Sequence, residues 1–411
     1  LRIGPGATAG PPAAAGPATG ADPAAGAAAT GLRQARDTGP AATIDGQAIT
    51  VLCNVASAAE TKAGLARGAA GVGLLRTEIP FLDALAWPTL AEHRARLAPI
   101  LGLLPGRTAT VRLLDFSGDK IPPFLARRHA DSTPAAADAA GPIGRRAAGP
   151  GLAADPPAGG ASGVPGEGSR ATGSDPAAGS GADAGFHLAV APEDGAGSVA
   201  GAGHQPAAGL AALLAHSTAL RDQLRAILEA GRQARLGVLI PMVGSLDEVA
   251  QVRAALAETA AALGAPAPRL GIMVELAATA AAAETFAPDV DFFSIGTNDL
   301  AGQVLGLDRR DPTARPALAA DPRVLGLIAH VAEMGRRAGI GVSVCGDAAA
   351  DPQVLPLLIG LGVDTFSVPA ARVPRVKSWV AALDAGACTK LAAKALDAPT
   401  VDAVWKLVPA L

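Results

Sequence analysis

Arg76, Arg112, Asp115, Glu275, Asn298, Asp299, Arg309 and Cys345 are side chains that can do chemistry, and each stands at or shortly after the end of a short apolar run. Glu275 and Asp299 are hard oxygen donors of the kind Mg2+ takes, a cation that keeps several waters and accepts substrate oxygens as well. Arg76, Arg112 and Arg309 offer planar, permanently charged forks that match phosphate and carboxylate. Asn298 adds a neutral donor, and the Cys345 thiol is a proton donor for a planar intermediate. A small substrate with one phosphate and one carboxylate would use the whole set. Each residue also has a plainer reading. A lone arginine after a strand usually makes a surface ion pair, and a cysteine at a strand end is usually a small apolar filler. Glu275 resists that reading, because an unpaired carboxylate between an apolar run and an alanine-rich segment is costly to bury. The convergence argues for a site more than any single member does.

The elements that must position these groups are eight apolar or β-branched runs: 49–54 (ITVLCN), 71–75 (GVGLL), 109–114 (ATVRLL), 236–241 (LGVLIP), 270–274 (LGIMV), 291–295 (DFFSI), 341–345 (GVSVC) and 365–368 (TFSV). Helical patterns lie between them at 58–67, 89–101, 247–263, 321–337 and 372–383, with Asp247 and Asp321 as expected N-caps and Gly264 and Gly339 as stops. Runs that are apolar without alternation suit parallel strands buried on both faces. Eight of them, mostly separated by helices, predict an α/β chain folded as a (β/α)8 TIM-type barrel, whose site lies at the C-terminal ends of the strands. A doubly wound sheet would favour a GxGxxG loop after the first strand; here that strand runs into CNVAS.

Composition divides the chain further. Residues 1–44 and 131–205 are rich in Ala, Gly and Pro and poor in large apolar side chains. They read as a flexible lead-in and a disordered, low-complexity insertion after the third strand. The barrel is expected over 45–130 and 206–385, with 386–411 as a C-terminal tail. Lys and Arg number 34 against 37 Asp and Glu, a net charge of −3, and no basic stretch tracks a phosphate backbone, so nucleic acid is excluded as a partner. Cys53, Cys345 and Cys388 form neither a disulfide framework nor a zinc spacing, which fits a reducing cytoplasm. No apolar run approaches the roughly 18 residues of a membrane span, and no secretory signal pattern opens the chain. It begins with Leu1, as a piece of a longer protein would.

The motifs GVGLLRTE (71–78), VRLLDFSGDK (111–120), RDQLRAIL (221–228), GIMVE (271–275), DFFSIGTNDL (291–300), LDR (307–309) and VCGDAAAD (344–351) resemble enzyme I of the phosphoenolpyruvate:sugar phosphotransferase system, whose barrel is shared by pyruvate phosphate dikinase and phosphoenolpyruvate synthase. The resemblance implies that Arg76, Arg112, Asn298 and Arg309 hold phosphoenolpyruvate (PEP) and that Glu275 and Asp299 ligate Mg2+. It implies that Cys345 protonates the enolate to pyruvate after the phosphoryl group leaves for a protein histidine. Its implied partners are a phosphohistidine domain or phosphocarrier protein and a second copy of the chain in a homodimer.

Three departures bear on competence. The family's phosphohistidine domain precedes the barrel, but 1–44 contains no His, so the acceptor is expected to be absent or supplied in trans. The family's Asn-Pro-x-Leu-Gly-x-Arg motif ahead of RDQLRAIL is replaced by HQPAAGLAALLAHSTAL (204–220), with Ala208 and Ala211 in the arginine places. Each such lost contact costs roughly 1.5–3 kcal/mol. IGRRAA (143–148) echoes the motif upstream, where Arg146 would substitute if the insertion folds back. Milder changes are MVELAAT after the Glu275 strand and Asp347 in place of Glu after Cys-Gly. The leading expectation is a PEP–protein phosphotransferase. A degenerate PEP- or pyruvate-binding regulatory module stands second, and a pyruvate-aldolase-type lyase, which has no evident need for Cys345, third.

Overall fold

The computed structural model describes residues 40–118, 120–126, 209–307 and 315–409. A short strand, β1 (Ala41–Ala42), pairs antiparallel with β2 (Ala48–Val55). From β2 onward every neighbour is parallel: β3 (Val72–Leu75), β4 (Thr108–Arg112), β5 (Arg235–Ile240), β6 (Arg269–Val274), β7 (Phe292–Ile295), β8 (Gly341–Val344) and β9 (Thr365–Pro369). β9 pairs back onto β2, with Thr50 opposite Thr365 and Cys53 opposite Val368, so the sheet closes into the expected eight-stranded parallel barrel.

The strands are apolar throughout because alternate residues serve two cores. Val238, Ile240, Ile272, Val274, Phe293 and Ile295 join the large core beneath the helices. Leu74, Leu239, Met273, Phe292 and Cys345, from the opposite faces, form a separate small cluster inside the barrel. Gly271 permits this packing, since a Cβ there would lie 2.5 Å from the Phe292 ring. The Arg269 guanidinium lies 5.2 Å from the centroid of the same ring.

Local signals set the helices. Leu90–Leu101 starts in a capping box of Thr89 and Glu92, and Leu246–Ala262 in one of Ser245 and Glu248. Ser245, rather than the expected Asp247, is therefore the cap; Asp247 sits in the first turn, where its charge favours the helix dipole. Asp321 caps Pro322–Ala338 as expected, and Gly339 ends it in the left-handed region at φ 68°. Gly264, at φ 58°, follows the end of Leu246–Ala262.

The segment set apart in sequence as a tail is built into the helical layer. Ala385–Leu396 buries Cys388, Ala392 and Ala395, and its Cys388 carbonyl lies so close to Gly360 that a Cβ there would come within 2.1 Å. Ile44 N–H donates to the Leu383 carbonyl at 2.8 Å, and the Asp45 carboxylate accepts from the N–H groups of Ala385 and Gly386 at 3.0 and 3.2 Å. Of the lead-in read over 1–44, residues 1–39 lie outside the described residues, as does the insertion at 131–205, whereas Ala41–Ala42 forms β1.

Described residues on the two sides of 131–205 touch one another. Gly209 N–H donates to the Phe116 carbonyl at 2.9 Å. Trp87 packs with Phe116, Phe124 and His216 at centroid distances of 5.8, 5.3 and 5.4 Å. Replacing 135–200 with a short Gly/Ser linker is accordingly expected to leave the melting temperature nearly unchanged. A fall of many degrees in a thermal melt would show that the segment packs. No described helix is long and apolar enough to cross a membrane.

Candidate functional site

The C-terminal ends of the strands carry the charged groups. Arg112, the last residue of β4, is buried, and its Nη2 donates to Glu78 Oε1 at 2.5 Å and lies 3.1 Å from Asp115 Oδ2. Burial opposes its charge, but Glu78, Asp115 and Glu275 together hold its pKa above the ordinary arginine value. Asp115 also pairs with Lys120 and accepts from Ser117 Oγ at 2.5 Å. Burial acts to raise the Asp115 pKa, but Arg112 and Lys120 outweigh it and hold the carboxyl below its usual range.

A hydrogen-bonded chain fixes the backbone beneath this cluster. Thr77 Oγ1 donates to the Arg112 carbonyl at 2.8 Å and accepts from Gln223 Nε2 at 2.9 Å, while Gln223 Oε1 accepts from Leu114 N–H at 3.1 Å. Gln223 comes from the helix Ser217–Ala230 and is fully buried. This is why a glutamine stands inside an otherwise apolar helical face.

Glu275 follows β6 and is 1% exposed. Its Oε1 accepts from Met242 N–H at 2.7 Å. Met242, at φ 51°, is the one non-glycine residue in the left-handed region among the described residues, a conformation that favours glycine and is held only where the surroundings impose it. Burial pushes the Glu275 pKa up to about 8; Arg112 opposes this, and the negative charges of Asp299 and Asp115 add to it. Without a cation, burial thus favours the protonated carboxyl.

Cys345 follows β8, with Sγ 3.5 Å from the Ile295 carbonyl. Burial pushes its pKa up to about 12, so it carries its proton at neutral pH. Glu275, Arg112 and Asp299 all act on it electrostatically, so the thiol lies within the field of all three. Asn54, at the end of β2, donates from Nδ2 to the Cys345 carbonyl at 2.9 Å. Gly346 is required by close approach, since a Cβ there would fall 1.9 Å from Thr297 Oγ1.

Of the residues singled out in sequence, Arg112, Asp115, Glu275, Asp299 and Cys345 are brought together. Asn298 is exposed and bonded reciprocally to Asp347: its Nδ2 donates to Oδ2 at 2.9 Å, and its Oδ1 accepts from the Asp347 N–H at 3.0 Å. Arg76 is half-buried and faces a cavity against the helix Leu90–Leu101. Arg309 and Arg146 lie outside the described residues, and Ala211 is exposed on the helix Gly209–Ala215. Glu78, Lys120, Gln223 and Asn54 had no assigned role in the sequence reading, though each is a polar residue within or beside an apolar motif.

No group of three or more His, Cys, Asp or Glu placed to hold a metal ion occurs among the described residues. Glu275 and Asp299 supply two carboxylates. A buried carboxyl with a raised pKa beside a second acid is a site that positive charge would relieve, and two protein oxygens suit a Mg2+ ion that keeps its own waters. The residues present therefore fit such a cation.

Residues 31–148 and 207–385 match the family described as PEP-utilising enzyme, PEP-binding domain. The first block takes in IGRRAA and ends at 148, so the unmatched stretch begins later than composition had placed it. A multiphosphoryl transfer protein of Xanthomonas campestris pv. campestris is 31% identical over 370 residues, covering 90% of this chain and 36% of that protein. A phosphoenolpyruvate-protein phosphotransferase of Staphylococcus aureus is 28% identical over 384 residues, covering 92% of this chain and 55% of that protein. The chain thus spans about a third to about half the length of these curated relatives. Among solved structures, a malate synthase of Haloferax volcanii overlays at TM-score 0.33 and 13% identity, over 39% of this chain and 46% of that one. The family match covers most of the sequence and all eight barrel strands; the chain belongs to the PEP-utilising enzymes and carries their PEP-binding domain.

Proposed function

We propose that this barrel binds PEP with Mg2+, passes the phosphoryl group to a protein histidine and releases pyruvate. The observation that carries the reading is the grouping of a buried guanidinium, a buried high-pKa carboxyl and a buried thiol at the C-terminal rim. Arg112, with Arg76, Asn298 and Arg309, would hold the phosphate and carboxylate of the substrate. Inclusion of IGRRAA in the family match supports Arg146 as a further phosphate contact. Glu275 and Asp299 would hold Mg2+, which when bound supplies Lewis-acid stabilisation to the substrate oxygens. Positioning and charge compensation are most of what phosphoryl transfer asks of a protein. As the bond from phosphorus to the enol oxygen breaks and one to a histidine nitrogen forms, the enolate left behind takes its proton at carbon from the Cys345 thiol. The resulting thiolate regains a proton from solvent. The acceptor histidine would come from a phosphohistidine domain or phosphocarrier protein.

A module that binds PEP or pyruvate without turnover is the second reading, favoured by the exposed Ala211 in a place where the family carries arginine. Titrating PEP with and without Mg2+, then assaying pyruvate after adding a phosphohistidine domain, separates the two. Binding followed by pyruvate is expected; binding alone would favour the module, and no binding would overturn both.

Glu275→Ala and Asp299→Ala should each abolish the Mg2+ dependence of PEP binding while leaving the fold intact. Because the cation must displace the Glu275 proton, apparent Mg2+ affinity should rise with pH up to about 8 and level off above it. Calorimetric titration across that range checks the sign. An unchanged Mg2+ response in both variants would show that the ligands lie elsewhere.

A further inference from the structure

Arg76 and His93 face one small cavity between the end of β3, the turn Ile79–Phe81 and the helix Leu90–Leu101, lined also by Phe81, Leu97 and Ile100. The room in it for the centre of a water is about 10 Å³, which is space for one water and too little for a phosphate. His93 is 1% exposed, and neither ring nitrogen has a partner among the described residues. The same holds for Nε of Arg76.

Packing alone does not explain an imidazole here. Its ring stands edge-on to Phe81 at 5.3 Å, a contact that a phenyl ring would make without stripping water from two polar atoms. Burial pushes the His93 pKa down to about 4, so the ring is neutral at pH 7, with one N–H and one lone pair. An arginine Nε–H seeks an acceptor, and a neutral imidazole provides one without adding a second positive charge.

We propose that His93 is a positioning residue for Arg76, linked to it by a single buried water that donates to the imidazole lone pair and accepts from the Arg76 Nε–H. Holding Nε fixes the plane of the guanidinium and leaves both terminal nitrogens free to grip an oxyanion as a fork. The link itself is independent of the proposed reaction; its effect on PEP rests on Arg76 being a substrate ligand.

The test uses the full chain and the variants His93→Phe, which keeps the ring contact with Phe81, and His93→Gln, which restores an acceptor. His93→Leu replaces His93→Phe should the latter fail to fold. The Arg76 Nε–H signal, assigned in an NMR spectrum by its loss in Arg76→Lys, should exchange slowly with water in the wild type and in His93→Gln, and fast in His93→Phe. PEP affinity should fall about tenfold in His93→Phe, the size of one charge-assisted hydrogen bond, and recover in His93→Gln. Equal exchange in wild type and His93→Phe would overturn the link. Changed exchange with unchanged affinity would overturn the positioning role. If the exchange pattern appears but even the wild type fails to bind PEP, the link stands and the proposed function fails.

Discussion

Cys345→Ser is expected to slow pyruvate formation roughly 100- to 10,000-fold, the range for a lost general acid, while leaving PEP affinity nearly unchanged. The thiol sits at the end of β8 within the electrostatic reach of Glu275, Asp299 and Arg112, and its pKa near 12 keeps it loaded with a proton at neutral pH. Transfer of the phosphoryl group does not need that proton; formation of the carbon–hydrogen bond does. Phosphorylation of the partner histidine should therefore persist while pyruvate lags, and Cys345→Ala should behave alike. A buried filler cysteine would instead give slight destabilisation and normal turnover. Equal pyruvate rates in wild type and Cys345→Ala, measured with a competent phosphohistidine partner, would sink the proton-donor role.

Removing Arg112 should have the largest effect on stability. Glu78 and Asp115 are both buried, at 0% and 2% exposure, and share its guanidinium. Arg112→Met leaves their charge in a low-dielectric site, for which breaking a buried pair costs about 3–5 kcal/mol. For a domain of this size that corresponds to a melting temperature lower by about 10 °C. Lys120 still faces Asp115, so the exposed weakness is at Glu78. Adding Glu78→Gln to Arg112→Met should recover a good part of the loss, a coupling that a double-mutant cycle measures. A drop of less than about 1 kcal/mol in the single variant, by denaturant unfolding, would mean that the cluster does not carry the charge balance described.

The barrel was legible because its strands are buried on both faces, and each of the eight apolar runs falls on a strand of the ring. The inner and outer cores draw on alternate residues of one run, as Leu239 between Val238 and Ile240 shows, so alternation never appears in the sequence. The charged rim was legible for a related reason, since a polar residue that ends such a run has no place in either core. Some signals were present and passed over. Ser245 followed by Glu248 is a capping box, and Gln223 is a polar residue on a buried helical face. The turn that presents the Met242 N–H to Glu275 has a methionine rather than a glycine at its left-handed position, so nothing there announces it. The reciprocal bond of Asn298 with Asp347, and the reach of Asn54 to the Cys345 carbonyl, depend on how loops from different strands meet. Neither periodicity nor composition encodes that meeting. Residues 386–411 carry no strong apolar period and were set apart as a tail, yet Ala385–Leu396 buries Ala392 and Ala395, and Ala392 lies against Gly360.

Pairing of β9 with β2 has a consequence for how the protein is made. Thr50 leaves the ribosome 315 residues ahead of its partner Thr365. At roughly 5–20 residues per second, β2 must wait many seconds with one hydrogen-bonding edge open. β1 cannot cover that edge along its length, since it pairs only with Ile49 and Ala48. The nascent chain is thus an unclosed arc whose first strand is a ready template for wrong pairing. Closure is a long-range step of high contact order, expected to limit the folding rate once the last strand is free. Chaperone dependence during translation, relieved when β9 is released, would be the cellular signature of that wait.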